Sequence, residues 1–244
     1  MMIPVLRRRI AHDEHGMGMP ELIVAMSLFA VLMTLVLTTV VSFSRAMTQD
    51  TAANDSTNIA AVGMNEMTRV IRSGTTIERP SVASVPTPPH PVFVEAKRES
   101  LTLHAFIDTD SATPKPVKIR FQVDPATRDL VETRWDAYPT PGHPTYWSFR
   151  TTASSERVVA RKIISPASGE PSLFSYYRIN DTTKVEEQIS LSPTGALTET
   201  ERLRVVAIEV TMKVQADVTE RAEPVTIVNR VGLPNLGVSR LGLL

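Results

Sequence analysis

Leu22 to Phe43 is a run of 22 residues without a charge. At about 1.5 Å per helical residue it extends roughly 33 Å, against about 30 Å of bilayer hydrocarbon. The residues before it are Glu14-His15-Gly16-Met17-Gly18-Met19-Pro20-Glu21. A charged leader thus ends at a glycine, and a single carboxylate stands at the mouth of the apolar run. A secretory signal peptide has a shorter apolar core, with its cleavage site behind it. Here the glycine precedes the apolar run, so a cut at Gly16 leaves the anchor in the mature chain. Arg7, Arg8 and Arg9 precede the run, and Arg45 is the only basic residue close behind it. This asymmetry predicts a single pass, with the N-terminus in the cytoplasm and the C-terminal domain outside.

The leader charge, the glycine, the spacing to Glu21 and the apolar run together resemble the type IV prepilin and pseudopilin family. The resemblance implies cleavage by a prepilin peptidase between Gly16 and Met17, followed by methylation of the new amine. Glu21 then becomes the fifth mature residue, whereas a cut after Gly18 would make it the third. Gly18 and Pro20 depart from the family pattern, which has larger apolar or hydroxyl residues there. In such a subunit Glu21 would dock against the terminal amine of a neighbour. Its first-turn position also suits the helix dipole, and Pro20 is tolerated at a helix start. Ala25, Ser27, Ala30, Thr34, Thr38 and Thr39 are small residues that favour close helix packing.

Ser44 to Gly74 reads as the same helix continuing outward, with a sparse apolar stripe at Met47, Ile59, Val62, Met67, Val70 and Ile71. Gly63 weakens it by about 1 kcal/mol, and Gly74 is the expected C-cap. Pro80, Pro86, Pro88, Pro89 and Pro91 mark an extended connector. Strand patterns then recur at Val92–Val94, Leu101–Phe106, Val117–Val123, Leu130–Trp135, Arg157–Ile164, Leu173–Ile179, Leu203–Val214 and Val225–Val231. Short links between them favour antiparallel pairing. The expected class is α+β: a long N-terminal helix packed on an antiparallel β-sheet, pilin-like. The expected segments are a leader at 1–16, a membrane and filament-core helix at 17–43, its extension at 44–79, the connector at 80–91 and a β domain at 92–244. The Arg157–Ile164 strand, the Leu173-Phe174-Ser175-Tyr176-Tyr177 strand and the last two strands also resemble large minor pilins of the J or W type.

The β domain, about 150 residues, is long enough for one core. With 26 basic and 26 acidic residues, nothing global points to nucleic acid. The absence of cysteine excludes disulfides and thiolate chemistry. No cofactor, metal site or catalytic set is expected. His90, His104 and His143 lack metal spacing, and the oxygen pair Asp108 and Asp110 lacks the further ligands of a calcium loop. Trp135, Tyr138, Tyr146 and Trp147 surround Pro139-Thr140-Pro141-Gly142, as a turn packed by its own aromatics or as a contact for a ligand or neighbouring pilin. The expected partners are the peptidase, other pilins and the cytoplasmic membrane, and no small-molecule substrate is expected. The leading expectation is a minor pilin or pseudopilin of a type IV pilus or type II secretion pseudopilus, not an enzyme. The alternative is a tip binding module, an adhesin or a DNA-uptake receptor that would use Arg157, Arg161 and Lys162.

Overall fold

The structure, a computed structural model, describes residues 18–81, 87–107, 114–216 and 223–235. The expected processing residues Gly16 and Met17, the basic leader, Pro86, Asp108 and Asp110 lie outside the described residues. The chain divides into two compact units, one ending at Thr48 and one beginning at Gln49. Helix α1, Met19–Arg72, contributes to both. In the first unit it is a bare helix. Between Leu22 and Phe43 its only breaks in apolar character are hydroxyls, and Ser27, Thr34, Thr38 and Thr39 each donate back to the carbonyl four residues earlier, at 2.7–2.9 Å. These four hydroxyls therefore demand no polar environment.

The second unit is built around the remaining turns of α1. Ala60, Gly63, Met64, Met67, Val70 and Ile71 are buried, at a spacing that keeps them on one helix face. The expected stripe is therefore rotated: Val62 and Met47 are exposed, while Ala60, Gly63 and Met64 face inward. At Gly63 the helix lies close against a strand of each sheet. A Cβ at Gly63 would lie 2.9 Å from the Ala160 Cβ and 3.0 Å from the Met212 Cε. The helix ends at Arg72, two residues before Gly74, the expected C-cap. Gly74 N–H donates to the Ile71 carbonyl at 3.0 Å. The chain then runs extended, with isolated bridges from Gly74 to Ala105 and from Ile77 to His90.

Two antiparallel sheets take up the rest, so the structure is α+β with two sheets where one was expected. The first contains β1 (Phe93–Ala96), β2 (Ser100–Ala105), β3 (Val117–Val123), β4 (Leu130–Thr140) and β5 (His143–Phe149) in that order, and β6 (Ser155–Ala160) pairs with β4. The second has β7 (Phe174–Ile179), β8 (Glu186–Gln188), β9 (Ala207–Val214) and β10 (Val225–Gly232), in the order β10-β9-β7-β8. Alternation sends Leu101, Leu103, Ile119 and Phe121 of the first sheet, and Phe174, Tyr176, Ile208, Val210 and Met212 of the second, into one core with the helix. The Tyr176 hydroxyl, fully buried there, donates to the Lys97 carbonyl at 2.7 Å.

Three strand expectations change. The strand expected from Arg157 to Ile164 stops at Ala160, because Lys162 adopts φ 56° and turns the chain. Ile163 then bridges to Val214 of the second sheet. The strand expected from Leu203 begins only at Ala207. A helical turn, α2 (Glu199–Arg202), precedes it, closed by a capping box between Thr198 and Glu201. The strand expected to end at Trp135 runs on to Thr140, and after a turn at Pro141 and Gly142 a strand not expected from the sequence, β5, pairs back on it.

Gly63→Ala tests the closest approach of helix and sheet. The added methyl gains about 1 kcal/mol of helix propensity but meets the rigid Ala160 Cβ, and overpacking of this kind costs about 1–3 kcal/mol. The expected result is a net loss of stability in thermal denaturation, larger for Gly63→Val. A melting temperature raised by Gly63→Ala would show that the helix has slack against β6 and β9.

Candidate functional site

Glu21 lies in the first turn of α1. Its carboxylate accepts the Gly18 N–H at 3.1 Å, and the Gly18 carbonyl accepts the N–H groups of Glu21 and Leu22 at 3.0 and 3.2 Å. The side chain thus folds back on its own helix end, satisfying a backbone donor that the helix cannot. Behind it every large apolar side chain from Leu22 to Phe43 is at least 45% exposed. Ala30, Thr34 and Thr38 form a row of small residues one turn apart, flanked by Val31, Leu35 and Thr39 along a shallow apolar hollow. This first unit contains the one helix among the described residues that is apolar and long enough to cross a membrane. A soluble monomer rarely leaves so long an apolar surface uncovered.

The second unit carries a charged cluster that the sequence reading missed. Glu132 of β4 points toward the helix rather than to solvent, and its side chain is 0% exposed. It pairs with Arg134 and, at 2.7 Å, with Arg157. Glu66 of α1 completes the cluster, pairing with Arg69 at 2.7 Å, with Arg134 at 3.3 Å and with Arg157. Burial alone would raise the Glu66 carboxyl, but Arg69, Arg157 and Arg134 together hold it below its ordinary value. These contacts join helix, β4 and β6 at one point. Two carboxylates and three guanidinium groups meet there. The signal was present as Glu132 in the register of Leu130, an inward position of a strand. Strand alternation marks such a charge as buried, and a buried charge requires partners.

Two of the three residues in the basic run considered for DNA are already engaged. Arg157 belongs to this cluster, and the Lys162 ammonium donates to the Ala216 carbonyl at 2.9 Å. Arg161 alone of the three has no partner among the described residues.

His104 is buried on the opposite face of β2. Its Nδ1 lies 2.8 Å from the Pro91 carbonyl, which only accepts, so Nδ1 carries the proton. Its ring stacks on Phe149 with centroids 4.5 Å apart, and His90 lies 5.5 Å away. Burial, with smaller contributions from His90 and Lys118, pushes the His104 pKa down to about 4, against the bond to Pro91. His143 stands edge-on to Tyr146, at 6.2 Å. Among the described residues no three histidines, aspartates or glutamates gather as metal ligands. The aromatic residues spread along the β4–β5 hairpin. Trp135 lies under the Lys118 ammonium at 4.6 Å and the Arg120 guanidinium at 5.3 Å, and Trp147 pairs across from Pro139.

Neither a comparison with protein-family models nor a search of curated proteins finds a match for this chain.

Two predictions follow from the charged and imidazole groups. Glu132→Gln leaves Arg134 and Arg157 facing a buried amide. Breaking one side of a buried ion pair is expected to lower stability by about 3 kcal/mol, measured by chemical denaturation. A change under about 0.5 kcal/mol would mean that Glu66 alone compensates both guanidinium groups. His104 binds its proton less readily in the folded chain than in the unfolded one, so it stabilises fully above pH 6.5 and progressively less down to about pH 4. It should contribute about 3 kcal/mol across that window. His104→Phe should flatten the corresponding rise of stability with pH. An unchanged slope would assign the acid sensitivity to other groups.

Proposed function

We propose that this chain is a minor pilin or pseudopilin, a structural subunit that enters or primes a type IV pilus or type II secretion pseudopilus. A prepilin peptidase would cut it between Gly16 and Met17. Before assembly it would sit in the cytoplasmic membrane as a single-pass protein, its N-terminus inside and the β domain outside. The observation that carries this reading is the bare apolar helix of Leu22–Phe43, headed by one carboxylate at Glu21. Lipid covers such a surface before assembly. Side-by-side helices of other pilins cover it afterwards, and the Ala30–Thr34–Thr38 row suits their close approach. The hydroxyls in that row, bonded to their own helix, do not oppose either environment.

Glu21 is the docking residue in this reading. In the isolated chain its carboxylate holds the Gly18 N–H. In a filament the cationic amine at Met17 of a neighbour would compete for the same oxygens, and a charge-assisted pair is the stronger of the two. The long helix whose outer turns rest on antiparallel sheets agrees with a pilin-like subunit.

Intact mass of the membrane-extracted protein, expressed with and without a prepilin peptidase, tests the class. Loss of residues 1–16 only with the peptidase is the expected result, and an uncut chain in both samples would overturn the reading. Glu21→Ala should insert and be cut normally but co-purify with other pilins at a level reduced about 10-fold or more, as expected from loss of a charged hydrogen bond. Undiminished incorporation would remove the docking role.

A further inference from the structure

Strand β10 forms one edge of the second sheet and pairs with β9 on one side only. The direction of its backbone groups follows from β9. Thr211 N–H donates to the Leu173 carbonyl at 2.9 Å, on the side of β7. Thr211 and Val228 stand opposite each other, so they are a non-hydrogen-bonded pair. Alternation then turns the N–H and C=O groups of Thr226, Val228 and Arg230 outward, while those of Ile227, Asn229 and Val231 bond to β9. None of these outward groups meets a partner among the described residues.

The other sheet edges are guarded. At β1 the Leu197 N–H donates to the Ala96 carbonyl at 2.9 Å, and the Arg202 guanidinium reaches the Phe93 carbonyl at 3.5 Å. Strand β8 is three residues long and carries Glu186 and Glu187. Strand β5 contains Pro144, and β6 pairs with β4 through a bulge and carries Glu156 and Arg157. Short length, charge, proline and bulges are the usual protections against unwanted strand pairing. Strand β10 lacks them. Its eight residues pair with β9 in unbroken register and include no proline. Its one charged side chain, Arg230, is folded back over the sheet, paired with Glu209 at 2.9 Å and Glu186 at 3.5 Å and stacked on Tyr177. Val228 stands 55% exposed in the middle of the open edge.

We propose that the β10 edge takes an extended segment of a partner protein as a further strand. The segment bonds through its backbone to Thr226, Val228 and Arg230, and sets a β-branched or aromatic side chain beside Val228. It needs no charge at that point, because Glu209 and Glu186 already neutralise Arg230. A second copy of this chain is the competing occupant. Ser56 bonds to Ala216 and Thr68 to Asn229, so α1 runs beside β10 in the same direction. Antiparallel pairing of two β10 edges would therefore set two α1 helices in opposite directions, which entry into one bilayer from one side does not allow. That choice of occupant rests on the membrane reading of α1, but the open edge itself does not.

The test uses the full chain in nanodiscs and random peptides displayed on phage, the strongest binder being resynthesised with a fluorescein label. Val228→Pro is the blocking variant. It removes an outward N–H and leaves the ladder to β9 intact, so it should fold as the parent does. The labelled peptide should bind Val228→Pro about 10-fold or more weakly. Methylating alternate peptide nitrogens should weaken binding to the parent as much in one phase and little in the other, since only every second N–H of an added strand faces β10. This methyl series needs no variant, so it decides the matter even where Val228→Pro is unstable. Recovery of no binding peptide, equal binding to a folded Val228→Pro, or methylation without a phase would each overturn the proposal. Peptide binding that appears only after residues 236–244 are deleted would overturn it as well, and assign the edge to the chain's own C-terminal segment. Parent dimers seen by mass photometry in place of peptide binding, and abolished by Val228→Pro, would assign it to a second copy instead.

Discussion

The second unit depends on a single seam, where the outer turns of α1 meet both sheets. Ala60, Met64, Met67, Val70 and Ile71 sit in the same apolar cluster as Leu101, Phe121, Tyr176 and Met212. Removing that helix face would expose the inner face of each sheet at once. Gly63 sets how closely the helix approaches the sheets, since even a methyl there would collide with Ala160. An intrinsically poor helix residue is kept because tertiary contact outweighs its local propensity. Polar contacts then fix register along the seam: Ala216 N–H donates to the Ser56 hydroxyl, and the Asn229 amide to the Thr68 hydroxyl, each at 2.9 Å.

The cluster of Glu66, Glu132, Arg134 and Arg157 works differently. It supplies little net stability for the charges it removes from water, because desolvation offsets most of the attraction. What it adds is a specific requirement, since helix, β4 and β6 must meet in one arrangement for every charge to have a partner. The His104 site is a smaller instance of the same logic. A buried imidazole with one bonded nitrogen is compatible with the fold only when neutral, so folding and protonation oppose each other there.

The first unit has no such internal partners. Most of its hydroxyls bond back to its own helix, yet its apolar surface is left uncovered. By length and apolar composition that stretch could cross a bilayer, where no water competes for its backbone bonds. One helix serves both units because α1 is uninterrupted by proline or glycine between Leu22 and Val62.

Much of this was legible in the amino-acid order. Charge-free length marked Leu22–Phe43 as an apolar helix long enough to span a bilayer, and period-two alternation located most strands, with Val117–Val123 matched to the residue. These are local properties, set by helix rise and strand pleat. The sequence also contained the Thr198–Glu201 capping box and an inward Glu132, but neither announces itself without its surroundings. Which face of α1 turns inward, the division into two sheets at Lys162 and the partners of Glu132 were decided only by tertiary structure. Each depends on residues far apart in the chain being brought within a few ångströms, and no local pattern encodes that proximity.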